Sequence, residues 1–474
     1  MAISSTGIGS GLDVNSIVEQ LTALEKRPLV QLQVKAMAIQ TKLSAFGQIK
    51  AQISALSDAA SKLRLDSAWN GLTVASTNAA AVSGTISGIA SASSMSVEVQ
   101  KLAKTQSLAS TAVPAATAMG TGTLTIQLGS WNVGMTAFTA GLSSPVAITI
   151  GAGEDGLASI ASKINSANAG VTATVLKDAT GERILLRSKE TGLEQGFRVQ
   201  ATDDDSNNTD NLGLSRLAFD PENGTAGFSQ TQAARNAEAT INGVAVVSAK
   251  NTLVDTIPGL TLNLTQETTS PVEVTLATDT ATMKKNILDF VNAFNALNKT
   301  LAESTKYDSE TKTAGVLQGD STAVSLRNAL RSVVGSSSVG GTFQRLSDIG
   351  IDLKLGGDMT VNNTKLDAAL QDPDNLKKLF ATDNSNAQTN GFGLKVKDFA
   401  QGLLADAGLV TNKSSALKAA IDRNAKDQDK VNDRATLMEK RLRAQYTALD
   451  VKMGSLTSLN AFITQQVTLW NKNS

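Results

Sequence analysis

The stretch LDVKMGSLTSLNAFITQQVTLWN, residues 449–471, decides the fold of the chain ends, because it carries no Asp, Glu, Lys or Arg between Met453 and Asn471. Its apolar residues recur alternately four and three positions apart, as in a heptad repeat. A solvated helix carries charges outside such a stripe, so the spacing predicts a helix whose end packs in an assembly. The stripe consists of Leu442, Tyr446, Leu449, Met453, Leu456, Asn460, Ile463, Val467 and Trp470.

Upstream, the stripe continues through the charged sequence KDQDKVNDRATLMEKRLR, residues 426–443. Dense charge between apolar positions is typical of a solvated helix face. No proline follows Pro373, so we predict one helix from a cap at Ser414 or Ser415 to the end of the chain. Asn460, the polar member of the stripe, either sets the register of packing or lies at the wet edge of the seam.

The opening of the chain has the same pattern. Asp13 fits a helix N-cap, and Ile17, Leu21 and Leu24 follow on one face. Pro28 is expected to break or restart this helix, and helical spacing resumes beyond it. Helices without tertiary partners are marginal in water, so we expect both ends to become ordered when they pack into a polymer.

Between the ends, residues 72–278 alternate apolar and polar positions with a period of two, which predicts strands. One helix is predicted from Asp155, as its N-cap, to about Asn168. The pair Asn242-Gly243 between alternating residues is the strongest hairpin signal in the sequence. Helical spacing returns after residue 279, so strands are enclosed by helices.

This order predicts an α+β multidomain protein, with terminal helical coiled-coil or bundle regions enclosing two inserted β-rich domains in a nested out-and-back topology. The predicted domains are a terminal helical leg that is disordered when not assembled (1–40 and 440–474), a helical bundle (41–71 and 280–439), a β-rich domain (72–108 and 233–279) and an inserted α+β domain (109–232).

The composition disfavours an enzyme. The 474 residues include no Cys and no His, the commonest nucleophiles, general bases and zinc ligands. Lys+Arg and Asp+Glu are equal at 43 each, so no net charge attracts nucleic acid or an anionic membrane. No run reaches the roughly 18 apolar residues of a membrane helix, and the opening lacks the features of a cleaved secretory signal. We expect a protein without catalytic activity, cofactor or metal.

Three motifs resemble ligand sites but fail on spacing. TGIGSG (6–11) follows no strand and has no Walker lysine, and GVLQGDS (315–321) lacks Gly-Lys-Ser/Thr. TDDDSNNTDN (202–211) is similar to a calcium loop, but Asn208 stands where that loop needs glycine and Leu214 where it needs glutamate. We therefore interpret it as a solvated turn, and no residue is predicted to be catalytic.

Several segments in order resemble the bacterial flagellar filament-capping proteins, also called the hook-associated protein 2 family. The segment INSANAGVTATVLKDATGERILLRSKETG (164–192) is similar to the "IN" repeat of flagellins and hook-associated proteins. The resemblance covers nearly the whole chain. The other segments are TGIGSGLDVNSIVEQLTALEKRPL (6–29), TINGVAVVSAKNTLVDTIPGLTLNL (240–264), LQGDSTAVSLRNALR (317–331), LSDIGIDL (346–353) and RLRAQYTALDVKMGSLTSLNAFITQQ (441–466).

The resemblance implies a ring-like homo-oligomer that caps the distal end of the filament, retains exported flagellin and promotes its insertion. It implies flagellin and further copies of the chain as partners. It also implies export without a cleaved signal, through the flagellar type III apparatus and with a chaperone, to an extracellular position. Two alternatives stay open: a filament or hook–filament junction subunit, and an adhesin that binds host glycan or mucin through its β domains.

Overall fold

The computed structural model describes residue 11 and residues 13–210 and 212–472 of the chain. The chain divides into a helical unit, Met1–Asn70 with Thr280–Ser474, and a β-rich unit, Gly71–Asp279. The two ends of the sequence thus belong to one unit, and the strand-rich segment lies between them. This arrangement confirms the α+β multidomain fold with terminal helices.

Helix α2 lies in the β-rich unit, and the other described helices lie in the helical unit. The core of the helical unit is built on buried phenylalanines from four helices, and Phe380 stacks on Trp69 with ring centroids 5.8 Å apart. Helix α3 buries its apolar stripe there, from Met283 to Leu301. The helices are α1 (Val14–Lys62), α2 (Leu157–Ser166), α3 (Thr280–Thr305), α4 (Ser321–Val334), α5 (Asn363–Ala369), α6 (Pro373–Ala381), α7 (Phe392–Leu404) and α8 (Leu409–Lys472).

All strand pairings between the described strands are antiparallel, as expected for sheets built from hairpins and short connections. The strands are β1 (Leu72–Ser76), β2 (Val82–Ile86), β3 (Ser93–Lys101), β4 (Ser107–Ser110), β5 (Gly122–Trp131), β6 (Phe138–Ala140), β7 (Val146–Ile150), β8 (Val171–Asp178), β9 (Gly181–Ser188), β10 (Gly196–Asp203), β11 (Phe219–Asp220), β12 (Thr225–Ala226), β13 (Phe228–Gln232), β14 (Ala237–Ile241), β15 (Val244–Ser248), β16 (Thr252–Ile257), β17 (Leu260–Leu264), β18 (Val272–Thr278), β19 (Tyr307–Asp308), β20 (Thr313–Ala314), β21 (Ile351–Leu353) and β22 (Met359–Val361).

The sheets of the β-rich unit enclose two separate cores. A five-stranded sheet (β1-β18-β3-β14-β15) and a three-stranded sheet (β16-β17-β2) share one core. A six-stranded sheet (β12-β11-β10-β5-β6, with β7 also paired to β5) and a four-stranded sheet (β13-β4-β9-β8) share the other with α2. The second core runs from Leu108 to Phe228, and the domain limits of 109–232 stay a prediction.

Side-chain amides of Asn and Gln form paired hydrogen bonds with backbone groups at several strand edges and ends. In each contact the amide nitrogen donates to a carbonyl, and the amide oxygen accepts from the N–H of the same residue. An amide thereby imitates one residue of a partner strand. The contacts join Asn165 to Ala173 (2.8 and 2.8 Å), Asn251 to Ala103 (3.0 and 2.7 Å), Gln106 to Phe197 (2.8 and 2.9 Å) and Asn295 to Met359 (2.9 and 2.7 Å).

The first of these contacts explains the Ile164-Asn165 pair of the IN-like segment. Ile164 is buried in the core under α2, while Asn165 turns toward the edge of β8. There it binds both backbone groups of Ala173 that face away from β9. Ile164 therefore anchors α2 in the core, and Asn165 satisfies the backbone groups at the free edge of β8.

Asp320 joins two helices of the helical unit. Its carboxylate caps α4 by accepting hydrogen bonds from the N–H groups of Thr322 and Ala323, and it lies 2.7 Å from the Lys413 ammonium on α8. Burial alone would raise the pKa of Asp320, but the hydrogen bond and charge of Lys413, with the two N–H donors, hold the pKa below its ordinary value.

The prediction that Pro28 breaks the first helix is wrong. Helix α1 runs without interruption from Val14 to Lys62 with Pro28 inside it. An internal proline costs about 3 kcal/mol because it removes a hydrogen bond and crowds the preceding turn. Packing of α1 along α8 on both sides of Pro28 outweighs this cost. The predicted domain limits at residues 40 and 440 consequently fall inside continuous helices, and the disorder of the leg stays a prediction.

Two predicted helix starts are also wrong. Helix α8 begins at Leu409, and Ser414 lies inside it with its hydroxyl donating to the Val410 carbonyl (2.9 Å). Helix α2 is capped by Gly156 without a side-chain bond. The Asp155 carbonyl accepts from the Met119 N–H (2.8 Å), beside an isolated bridge between Ala118 and Gly156. The predicted Asp13 cap is confirmed by a 3.0 Å bond from the Ser16 N–H.

Replacing Asn165 with alanine should destabilise the β-rich unit by about 1–3 kcal/mol, because two backbone groups of Ala173 lose their partner. Ser166→Ala, which removes an exposed hydroxyl one position along, is the control and should change stability by less than about 0.5 kcal/mol. Hydrogen exchange at the Ala173 amide and thermal unfolding measure the effect. Unchanged exchange in Asn165→Ala would contradict the role given to this amide.

Asp320→Ala should destabilise the helical unit by about 1–2 kcal/mol through loss of the cap, whereas Asp320→Asn keeps a cap acceptor and loses only the charge. Since the folded pKa of Asp320 is depressed, its ionic contribution is complete above the unfolded pKa of about 3.9. It is lost as pH falls through the folded pKa. Thermal unfolding of wild type and Asp320→Asn should therefore differ at pH 6, and the difference should shrink as the pH falls through the folded pKa of Asp320.

Candidate functional site

Helices α1 and α8 form a long antiparallel pair. Polar contacts between them occur at positions whose residue numbers add to nearly the same value, as antiparallel pairing requires. The contacts are Arg443 Nη to Asn15 Oδ1 (3.0 Å), Arg434 Nε to Glu25 Oε1 (3.6 Å) and Asn424 Nδ2 to the Leu32 carbonyl (3.0 Å). The first turns of α1 therefore lie beside α8 near residue 443.

The face that α1 buries at its start differs by one position from the predicted stripe. Val14, Val18 and Thr22 are buried, while Ile17 and Leu21 lie half-buried at the margin of that face. Leu24 is more exposed, with 49% of its surface accessible. The sequence pattern identified the helix and its apolar side, and the packing against α8 selected the central line of that side.

Beyond its pairing with α1, helix α8 continues for residues 451–472, roughly 33 Å at about 1.5 Å per residue. From 451 to 471 every side chain except Gly454 is exposed, so no described part of the chain covers this segment. We call residues 451–472 the α8 tail. Its predicted stripe residues Met453, Leu456, Asn460, Ile463, Val467 and Trp470 are all in this exposed group, whereas Leu442 and Tyr446 are half-buried upstream and Leu449 is exposed.

The tail has a second apolar stripe that the heptad assignment missed. Leu459, Phe462 and Leu469 each lie one position before a member of the first stripe, and about half of each side chain is exposed. At about 100° per residue, the two stripes together span roughly 200° of the helix circumference. This second stripe can be found from the sequence by checking the residue that precedes each heptad position. An arc this broad suits a helix that packs against more than one neighbour.

The opposite face of the tail is polar, yet its hydroxyls are satisfied within the helix. Each donates to the carbonyl four residues earlier, at 2.7–2.9 Å. Covering this face in an assembly therefore leaves those donors bonded, which removes most of the usual cost of burying a hydroxyl. The residues are Ser455, Thr457, Ser458, Thr464 and Thr468.

In the two rejected motifs that the structure describes, TDDDSNNTDN and GVLQGDS, acidic side chains make structural hydrogen bonds. Asp203 is buried and accepts from the Ser215 N–H (3.0 Å), and Asp320 is the α4 cap described above. Within the described ranges 13–210 and 212–472, no cluster of acidic side chains could hold a metal ion, and no helix is long and apolar enough to cross a membrane. Most of TGIGSG lies outside the described residues.

The chain is similar to flagellar proteins along almost its full length. Residues 10–106 and 234–458 match the families described as flagellar hook-associated protein 2 N-terminus and C-terminus, and residues 135–190 match the flagellin hook IN motif. The flagellar hook-associated protein 2 of Escherichia coli (strain K12) is 30% identical over 479 residues, which cover 98% of each chain. The B-type flagellar hook-associated protein 2 of Pseudomonas aeruginosa is 28% identical over 485 residues, again 98% of each chain.

One solved structure supports the same comparison. The crystal structure of the D1-D2-D3 domains of the flagellar cap protein FliD from Escherichia coli matches with a TM-score of 0.55 and 28% identity. The match covers 79% of this chain and 99% of that chain.

A carboxylate introduced between α1 and α8 and one introduced in the α8 tail should have different effects on the stability of the monomer. Val18→Asp places a carboxylate at a fully buried position between the helices and should destabilise the helical unit by about 3 kcal/mol or more. Ile463→Asp, at a position that is 50% exposed, should leave the thermal unfolding of the dilute monomer unchanged. A loss of monomer stability in Ile463→Asp would show that the tail is covered within one chain.

Proposed function

The chain belongs to the flagellar hook-associated protein 2 family, and we propose that it closes the distal end of a flagellar filament as a ring of identical subunits. The ring retains exported flagellin and promotes its insertion into the growing end. Family membership confirms a flagellar cap protein of the filament tip, outside the cell, without enzymatic activity. The ring and the handling of flagellin go beyond family membership.

The observation that carries this proposal is the α8 tail, which no other described part of the chain covers. It presents a broad apolar arc on one side and internally bonded hydroxyls on the other, with no charged residue from 453 to 471. A helix of this kind gains from burial of its apolar arc and has no charge to desolvate on any side. We infer that the tail is surrounded by neighbouring subunits and by the filament end, together with the start of α1.

The same features make the contact reversible. Burying one Leu, Ile or Val side chain contributes about 1.5–3 kcal/mol. Docking also orders the chain ends and immobilises side chains, which offsets much of that gain. Without ion pairs to fix one geometry, an uncharged helix can release and dock again as the filament grows. A cap must give way at each flagellin insertion, and such contacts suit that requirement.

A closed ring of more than two subunits requires head-to-tail contacts between different surfaces of neighbouring copies. We propose that the helical and β-rich units supply them and that the tails point into the filament. Export by the flagellar type III apparatus with a chaperone belongs to the same proposal, and the absence of cysteine agrees with passage of an unfolded chain. Binding of host mucin stays a prediction.

A single charge in the tail should abolish capping. In a strain that lacks its own cap protein, Leu456→Asp should fail to restore swimming and should release flagellin into the medium, because a carboxylate buried among uncharged helices costs several kcal/mol. The matched control is Leu437→Asp, a similarly exposed leucine in the charged part of α8, which should restore wild-type swimming.

Swimming in soft agar, filament length by electron microscopy and flagellin in the culture supernatant are the measurements. Both variants must first be found in the supernatant, which shows that export is intact. Equal motility of Leu456→Asp and Leu437→Asp would overturn the assignment of the tail as the assembly segment.

A further inference from the structure

Strand β15 ends the five-stranded sheet with an open edge. It follows β14 through the two-residue turn Asn242-Gly243, with φ of 49° and 80°, and Ile241 pairs with Val244 across the turn. On the other side of β14, the Asn242 N–H donates to the Ser96 carbonyl of β3 (2.8 Å). Hydrogen-bonding direction alternates along a strand, so 237, 239 and 241 face β15.

The same alternation defines the outer edge of β15. Its residues Val244, Val246 and Ser248 turn their backbone groups toward β14, which leaves the N–H and C=O groups of Ala245 and Val247 directed outward. Among the described residues, none makes a hydrogen bond to these outward groups. The side chain of Val247 is 64% exposed beside them.

The edges of β7, β8 and β16 carry blocking groups that are missing beside Ala245 and Val247. Just beyond β15, the Ala249 carbonyl accepts a hydrogen bond from the Thr191 hydroxyl (2.7 Å), which limits the open edge to the strand itself. The edge of β8 is filled by the Asn165 amide, and on β7 the Lys163 ammonium donates to the Thr149 carbonyl (2.9 Å). Strand β16 carries Asp255 and a break in register. Strand β15 reads Val-Ala-Val-Val-Ser, without charge, proline or bulge. Natural proteins protect exposed edges by those devices, so an edge without them presents a template on which another strand can pair.

We propose that this edge pairs with β15 of a second copy of the chain, antiparallel and related by a two-fold axis at Val246. The outward groups of Ala245 then face those of Val247 in the other copy, and the reverse, so that both pairs exchange hydrogen bonds. The strand is uncharged, and Lys250 falls opposite the Asn242 turn of the other copy. No like charges meet, and the small Ala245 side chain makes room for the larger Val247.

The pairing is separate from the ring of the proposed function. A two-fold contact joins two subunits or two rings, whereas a ring of more than two subunits closes through head-to-tail contacts. Five residues give a weak contact between single chains, which strengthens when several copies are held in one assembly. The edge is thereby covered before it can capture other extended chains.

The absence of cysteine allows a direct test on the purified full-length chain. Val246→Cys places two thiols in the non-hydrogen-bonded pair at the two-fold axis, where Cα atoms lie about 4.5 Å apart, within the range for a disulfide. Mild oxidation with diamide should produce a covalent dimer. Val254→Cys, on an exposed strand of the same unit, is the control and should give only background dimer.

A second variant separates strand pairing from chance collision. Adding Val247→Lys to Val246→Cys puts an ammonium on the pairing edge and should reduce the cross-linked fraction on the order of tenfold, corresponding to about 1.4 kcal/mol. Adding Val254→Lys, at a residue with the same 64% exposure, should not reduce it. Thermal unfolding confirms that each variant is folded.

The proposal is overturned if Val246→Cys dimerises no more than Val254→Cys, or if Val247→Lys leaves its dimer unchanged. It is also overturned if the thiol of the Val246→Cys chain links only to a Val74→Cys chain, because that product requires head-to-tail pairing of β15 with β1. All of these readings come from purified protein, so they are independent of motility and of the capping function.

Discussion

The antiparallel packing of α1 against α8 is the constraint on which the rest of the structure depends. It brings the first and last helices of the chain into one unit, so everything between them leaves that unit and returns to it. It also keeps α1 helical through Pro28. Helix α8 continues beyond the point where α1 begins. The end of their pairing therefore determines where the α8 tail begins, the segment that no other described residue covers. Helical stability generally comes from packing of this kind, and it ends where the partner ends.

The hydrogen bonds of surface side chains distinguish the parts of this molecule that resist association from those that allow it. Amide side chains such as Asn165 form hydrogen bonds with the backbone groups at a strand edge of the same chain. Hydroxyls such as Thr464 donate to a backbone carbonyl of their own helix. The first device prevents association along an edge, since the backbone groups are occupied. The second permits association, because a helix with satisfied hydroxyls and no charge can be buried at little cost. The β8 edge of the β-rich unit is therefore protected, whereas the α8 tail is suited to packing.

The local patterns of the sequence were sufficient wherever one face or one turn decided the structure. Three- and four-residue spacing identified α1, α3, α4 and α8, and Asn242-Gly243 placed the β14–β15 hairpin. Asp13 was recognisable as a cap because its side chain acts within one turn. The missing charges of residues 453–471 marked the candidate site without any knowledge of the fold. These features depend on neighbours in sequence, which propensity and periodicity describe well.

Tertiary contacts decided what those patterns left open. Packing on α8 kept Pro28 in a continuous helix and buried Val18 rather than Ile17. The α2 cap is Gly156, which forms an isolated bridge with the distant Ala118. The pairing of Asn165 with Ala173 joins a helix to a strand edge that no periodicity reveals. By itself, the sequence determined which segments are helices or strands and which end is uncharged. Only the tertiary structure decided where α8 is left uncovered, because that depends on where the distant α1 begins.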